Sequence, residues 1–196
     1  MICLTKRSTR PCSTLKHLLS LPRHFARRLP PRYLIALGLG AAATTRRYPA
    51  TLWVELMEHL VKCDSQYSFL LFGAKDVADV AAAILCRYSG RASLLDITGM
   101  NLDLRIGSAL LARCLGCISN DSVAMHLSIG HRLPTVGLFG TSPLMHYVPW
   151  LCPLGADSPG GMAGISSARV AAAFIEQIAA FPRDNKAYSA CCADAS

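Results

Sequence analysis

The chain has 196 residues, 52% of them hydrophobic, and a formal net charge of +8. That length suits one domain with a tail, and no apolar run approaches the ~20 residues that span a bilayer, so at most a peripheral membrane association is expected. The charge is placed unevenly: 10 of the 20 Lys and Arg precede Glu55, which is the first of the 12 acidic residues, so the positive excess belongs to the N-terminal part and not to the body.

Residues 1–31 read as a basic arm or linker, expected to be poorly ordered. Lys6, Arg7, Arg10 and Lys16 interrupt any apolar stretch of an export signal; the segment is Arg-rich and acid-poor, as transit peptides are. A cytoplasmic location follows as the expectation, at the inner face of the cytoplasmic membrane at most. The nine cysteines are then expected to be reduced. The arm is either a solvated tail or a surface for anionic lipid, nucleic acid or an acidic partner. It lacks interleaved aromatic residues and matches no nucleic-acid-binding module, so no nucleic-acid partner is expected.

Residues 33–39 (YLIALGL) form a continuous apolar run that reads as a buried strand. The polar loop AAATTRRYP follows, then residues 51–62 with apolar side chains at helical spacing. Residues 68–72 (SFLLF) are a second strand, stopped by Gly73, and Asp76 is placed to cap an Ala-rich helix over 76–88. A short strand over 94–97 precedes a helix over 104–114. Then come a strand over 115–119, a helix over 122–129 and a strand over 135–139. A Pro/Gly-rich loop is expected over 143–164, and a last helix over 167–181 with Ser166 or Ser167 as its cap. Residues 183–196 read as a disordered tail. Short apolar strands alternating with amphipathic helices predict an α/β, Rossmann-like domain over 32–182, with a parallel sheet covered by helices on both faces.

In such folds ligands sit at the carboxyl ends of strands. Small and hydrogen-bonding residues gather there: Gly40, Thr44, Thr45, Arg46 and Arg47; Gly73, Lys75 and Asp76; Gly99, Met100 and Asn101; Asn120, Asp121 and Ser122; Gly140, Thr141 and Ser142. Asp121 and Ser122 precede a short helix whose free N–H groups favour an anion, and His126 lies one turn along on the face of Ser122. They also read as a helix cap and a structural histidine. Arg46 and Arg47 suit a pyrophosphate, or are solvated loop charges. The dinucleotide fingerprint is broken, because Ala43 stands where the third glycine belongs. No GxxxxGK[ST] occurs and no acidic cluster gathers, so neither a metal nor a cofactor is expected. Cys114 and Cys117 make a lone CxxC without the second pair that a zinc site requires.

Over roughly residues 32–180 the sequence resembles glycosyltransferase family 9, the bacterial ADP-heptose:lipopolysaccharide heptosyltransferases. NDSVAMHLSIGHRLPTVGLFGTSP resembles the family's (N)D(S/T)G-x-x-H-x-A-x-A…P-x-x-x-L-F-G-x-T-x-P. LGAAATTRRYP is similar to its PGA…K-R-W-P loop, and FLLFGAKD to its LFG…(D/E). The resemblance implies the C-terminal, donor-binding half of a GT-B enzyme, with an ADP-sugar as donor and a lipopolysaccharide core as acceptor. By position it implies that Asp121, Ser122, Val123 and His126 embrace the nucleotide diphosphate, with Arg46, Gly140 and Thr141 beside the phosphates. Asp76 would hold the ribose, and Met100 or Leu102 would lie near the base. Three positions depart from the pattern: Val123 stands for the usual Gly, Arg46 for Lys, and Gly130-His131-Arg132 for an Ala-rich turn. The family's first domain, with the acceptor site and a proposed aspartate base, has no match in residues 1–31. No catalytic base is therefore assigned. Two readings follow: a donor domain that works with a separate acceptor domain, or a truncated, inactive nucleotide-binding module.

Overall fold

The computed structural model describes residues 33–182 except 91, 101, 141, 158 and 159. The expectations for the basic arm, the tail, Asn101 and Thr141 lie outside the described residues. Eleven elements are numbered here in chain order. They are β1 (Leu34–Gly38), α1 (Ala50–Cys63), β2 (Ser68–Phe72), α2 (Ala78–Arg87), β3 (Leu94–Asp96), α3 (Leu104–Leu111), β4 (Gly116–Asn120), α4 (Val123–Gly130), β5 (Thr135–Phe139), β6 (Leu151–Gly155) and α5 (Ser167–Ala180). Single 3-10 turns occupy Thr44–Arg46, Lys75–Val77 and Gly161–Gly164.

The strands form one parallel sheet in the order β3-β2-β1-β4-β5-β6. β1 has a helix-covered environment on both faces, and that is why its sequence is a continuous apolar run instead of an alternation. Ile35 and Leu37 pack with Trp53, Leu56, Leu60, Ile84 and Phe174, so α1, α2 and α5 cover that face. Leu34 and Ala36 pack with Leu110, Leu111 and Cys117 on the α3 side. On that side too, Met125 and Ile129 of α4 meet Phe139 and Leu151. The fold expected from the sequence is the fold observed.

Three local expectations change. β6 lies inside the segment expected to be loop. Its sequence, LCPLG, contains a proline and a glycine that suppress the strand signal, but an edge strand tolerates a proline, and among the described residues β6 pairs only with β5. Asp76 does not cap a helix: α2 begins at Ala78 after a 3-10 turn, with no side-chain cap. Neither Ser166 nor Ser167 caps α5. Ser166 makes no side-chain cap bond, and Ser167 Oγ donates to Glu55 Oε2 at 2.9 Å.

β1 and β4 approach closely at their carboxyl ends. Gly38 pairs with Ser119, and a Cβ on Gly38 would lie 2.1 Å from Ser119 Oγ. Gly38→Ala is expected to lower unfolding free energy by about 2 kcal/mol through overpacking, read as a shifted denaturant midpoint at unchanged slope.

Candidate functional site

The strand order reverses direction between β1 and β4, and this switch point opens a crevice in doubly wound sheets. A cavity of about 600 Å³ lies there, a size that suits a small-molecule ligand. Four strand ends build it. Gly40, Ala41, Ala42 and Arg46 follow β1; Phe72, Gly73, Ala74 and Asp76 end or follow β2. Ile97, Leu102 and Leu104 follow β3, joined by Gly107 of α3, and Asp121, Ser122, Val123, Ala124 and His126 follow β4.

The β1 loop is held in place by Asn120, which is fully buried at the end of β4. Its Oδ1 accepts from the Tyr48 amide at 3.1 Å, and its Nδ2 donates to the Leu39 carbonyl at 2.8 Å. Both ends of the loop that carries Arg46 are thus tied to the strand that carries Asp121. The Leu39 amide donates to Phe72 O at 2.9 Å, which adds the end of β2 to the same frame. Tyr48 anchors the loop on the other side: its hydroxyl donates to Ile165 O at 2.8 Å, and its ring stands edge-on to Trp53. Burial pushes the Tyr48 phenol well above its ordinary range, so it stays a donor.

One lip of the cavity gathers the start of α4, Arg46 and His126 around Asp121. Ser122 stands at the N-cap of α4 in extended conformation, yet its side chain caps nothing. Instead its Oγ lies 3.1 Å from Ser119 Oγ, and Ser119 Oγ donates to Asn120 O at 2.8 Å. The capping interpretation of Asp121 and Ser122 is therefore not what the side chains do. The amide of His126 is bonded to Ser122 O at 3.3 Å, and the amides ahead of it are the orphan donors of a helix start. Arg46 Nη1 stands 3.7 Å from Asp121 Oδ2, and His126 Nε2 stands 3.9 Å from Asp121 Oδ1. Both distances are too long for hydrogen bonds. The guanidinium and the imidazole thus flank one carboxylate, and among the described residues Arg46 and His126 Nε2 make no hydrogen bond there.

The opposite wall is largely apolar, formed by Phe72, Ile97, Leu102, Leu104 and Gly107, with Asp103 among them accepting from the Arg105 amide at 2.7 Å as the cap of α3. Asp76 lies between the two regions, on the β2 side. The arrangement suits a ligand with a charged group at one end, a flat apolar group at the other, and hydroxyls between.

Of the residues singled out in the sequence, Arg46, Asp76, Asp121, Ser122, Val123 and His126 line this cavity. Gly140 and Met100 do not. Gly140 packs against the 3-10 turn beside β5, where an added Cβ would sit 2.7 Å from Met162 N. Met100 is exposed, and Leu102 supplies the wall instead. Arg47 is not in the lining; its guanidinium binds the lining residue Asp76. Tyr147 is an addition that the sequence gave no signal for: its hydroxyl lies 3.2 Å from His126 Nδ1. Desolvation, then the charge of Asp121, raises its phenol above the ordinary value.

Among the described residues no group of three or more His, Cys, Asp or Glu is arranged to hold a metal ion. Cys114 and Cys117 are core residues. Both are buried, and burial pushes the Cys117 thiol up to about 12. Alkylation of the native protein at neutral pH is expected to label exposed Cys63 and Cys86 and to spare Cys117 until denaturant is added. Peptide mass mapping with and without denaturant reads this directly.

A family model described as glycosyltransferase family 9 (heptosyltransferase) matches residues 15–153. None of the curated proteins matches the sequence. Among solved structures, the chain is similar to Escherichia coli ADP-heptose lps heptosyltransferase II, with a TM-score of 0.69 and 21% identity over 88% of this chain and 53% of that one. A glycosyl transferase family 9 structure from Veillonella parvula gives a TM-score of 0.66 and 20% identity over 76% of this chain and 47% of that one. E. coli heptosyltransferase WaaC with ADP gives a TM-score of 0.60 and 19% identity over 76% and 44%. The chain spans about half the length of these solved relatives.

Proposed function

We propose that this chain, which belongs to glycosyltransferase family 9, is a donor domain that binds a nucleoside-diphosphate sugar at the switch-point cavity. The observation that carries the reading is the convergence of Arg46, His126 and the uncapped start of α4 on one lip of a cavity whose far wall is largely apolar. The diphosphate is placed at that lip, the ribose beside Asp76 and the base against Ile97 and Leu102. The donor is an ADP-sugar, ADP-heptose in keeping with the E. coli relative described as an ADP-heptose heptosyltransferase. The acceptor is a lipopolysaccharide core, reached at the inner face of the cytoplasmic membrane. No described helix is long and apolar enough to cross a membrane.

Glycosyl transfer from such a donor breaks the bond between the anomeric carbon and the diphosphate, and negative charge grows on the leaving oxygens. Arg46 and the open amides of α4 are aimed where that charge develops, and His126 supplies a further N–H donor. An acceptor hydroxyl must lose its proton to a base. That base is assigned to an acceptor domain and to no residue of this cavity.

A second reading is a nucleotide-binding module without turnover. Calorimetric titration with ADP, with UDP and GDP as controls, tests what the two readings share. ADP is expected to bind, and more tightly than either control. No binding by a chain shown to be folded would overturn both. Turnover on addition of a family acceptor domain would then select the first reading.

A further inference from the structure

Arg46 and Arg47 are adjacent and chemically identical, yet they do different things. Arg46 lines the cavity, its side chain 44% exposed. Arg47 ends the 3-10 turn in extended conformation, and its side chain is only 15% exposed. Its guanidinium makes a two-point contact with one residue. Nη1 donates to the backbone carbonyl of Asp76 at 2.9 Å, and Nη2 donates to Asp76 Oδ2 at 2.5 Å. Its Nε is buried and unpartnered. A solvated loop arginine has no reason to give up water at that nitrogen, because an unmet buried donor costs stability. The contact ties the loop after β1 to the loop after β2, and fixes both the backbone and one carboxylate oxygen of Asp76. The other oxygen is left to accept from a ligand, on a side chain that is 56% exposed at the cavity wall.

We infer that Arg47 is a positioning residue that makes the site selective for a ribose diol, by holding the Asp76 carboxylate in the orientation that accepts from the sugar hydroxyls. The inference rests on the donor-domain reading and goes beyond it, since Arg47 itself touches no ligand. An ionised carboxylate only accepts hydrogen bonds, so the free oxygen of Asp76 matches ligand hydroxyls and not phosphate oxygens. It follows β2, the neighbour of β1, so on the cavity wall it stands between the Arg46 loop and the apolar residues after β3, the stretch a ribose spans when the phosphates lie at the start of α4. A bidentate guanidinium fixes a carboxylate in a way that an ammonium does not.

The test compares ADP with 2′,3′-dideoxy-ADP by calorimetry. The wild-type chain is expected to prefer ADP by about tenfold, the lower end for hydrogen bonds to a charged group because Asp76 is partly exposed. Arg47→Met keeps the buried stem and removes the fork. It is expected to bring the two affinities within about twofold of each other by weakening ADP alone. Asp76→Ala should do the same, and the double variant should add nothing. Arg47→Lys should fall between wild type and Arg47→Met, and it serves as the readout if the Met variant does not fold. Equal weakening of both ligands by Arg47→Met, or retained preference, would overturn the inference and leave Arg47 a loop strut. ADP binding without any ribose preference in the wild type would overturn this inference alone. Failure of ADP to bind the folded chain would overturn the donor-domain reading, and the inference with it.

Discussion

Asn120→Ala is expected to lower the stability of the domain by about 4 kcal/mol and to abolish measurable nucleotide binding. The amide of Asn120 is fully buried and saturates two backbone groups 72 and 81 residues away in sequence, the Tyr48 N–H and the Leu39 carbonyl. Truncation leaves both without partners in a region closed to water. Each orphaned group costs about 1–3 kcal/mol, and the lost side chain leaves a void as well. The functional loss is larger than the stability loss suggests. The two bonds fix the two ends of the loop that carries Arg46, so the anion lip loses its geometry even in molecules that remain folded. Asn120→Asp is expected to be no better, because it keeps the acceptor for Tyr48 but sets a buried carboxylate against the Leu39 carbonyl. Denaturant unfolding followed by ADP titration of the folded fraction separates the two effects.

Arg46→Ala is expected to weaken ADP binding by about tenfold to thirtyfold with little change in stability. The guanidinium makes only a long contact with Asp121, at 3.7 Å, and is nearly half exposed, so the fold gains little from it. A diphosphate at the start of α4 would instead draw it into charge-assisted hydrogen bonds. Removal has a second consequence: Asp121 then faces the ligand with only His126 beside it, 3.9 Å away. Arg46→Lys keeps the charge and loses the fork, and is expected to bind within about fivefold of wild type. The loss should be smaller in high salt for both variants, because part of it is unscreened attraction between exposed charges.

The sheet was legible because its inner strands are buried on both faces. Runs such as LIALG and SFLLF leave no other assignment once glycine ends each of them. β6 was not legible for the opposite reason. An edge strand needs only one hydrogen-bonded neighbour, and Pro153 opposite Gly137 is compatible with that but reads as loop. At the candidate site, the motif NDSVAMH drew attention to the start of α4, and the structure places Asp121, Ser122, Val123 and His126 together on the cavity. Position at a strand's carboxyl end did not distinguish Gly140. β5 lies one strand beyond the switch point, and its end is covered by Met162. The division of labour between Arg46 and Arg47 depends on where a 3-10 turn stops, and the contact of Tyr147 with His126 spans 21 residues. Neither leaves a periodic signature. Asn120 carried the frame of the site while reading only as one more polar residue at a strand end.

The central claim is that a nucleoside diphosphate occupies the switch-point cavity with its phosphates at the start of α4. Its most direct test is mapping of backbone amide chemical shifts in the isotopically labelled chain during ADP titration. The account predicts saturable shifts at Gly40–Arg46, Gly73–Asp76 and Asp121–His126, the largest at the amides of Val123 and Ala124, and none of comparable size along β6 or the outer face of α5. Saturable shifts centred elsewhere, or a folded spectrum unchanged by ADP, would contradict it.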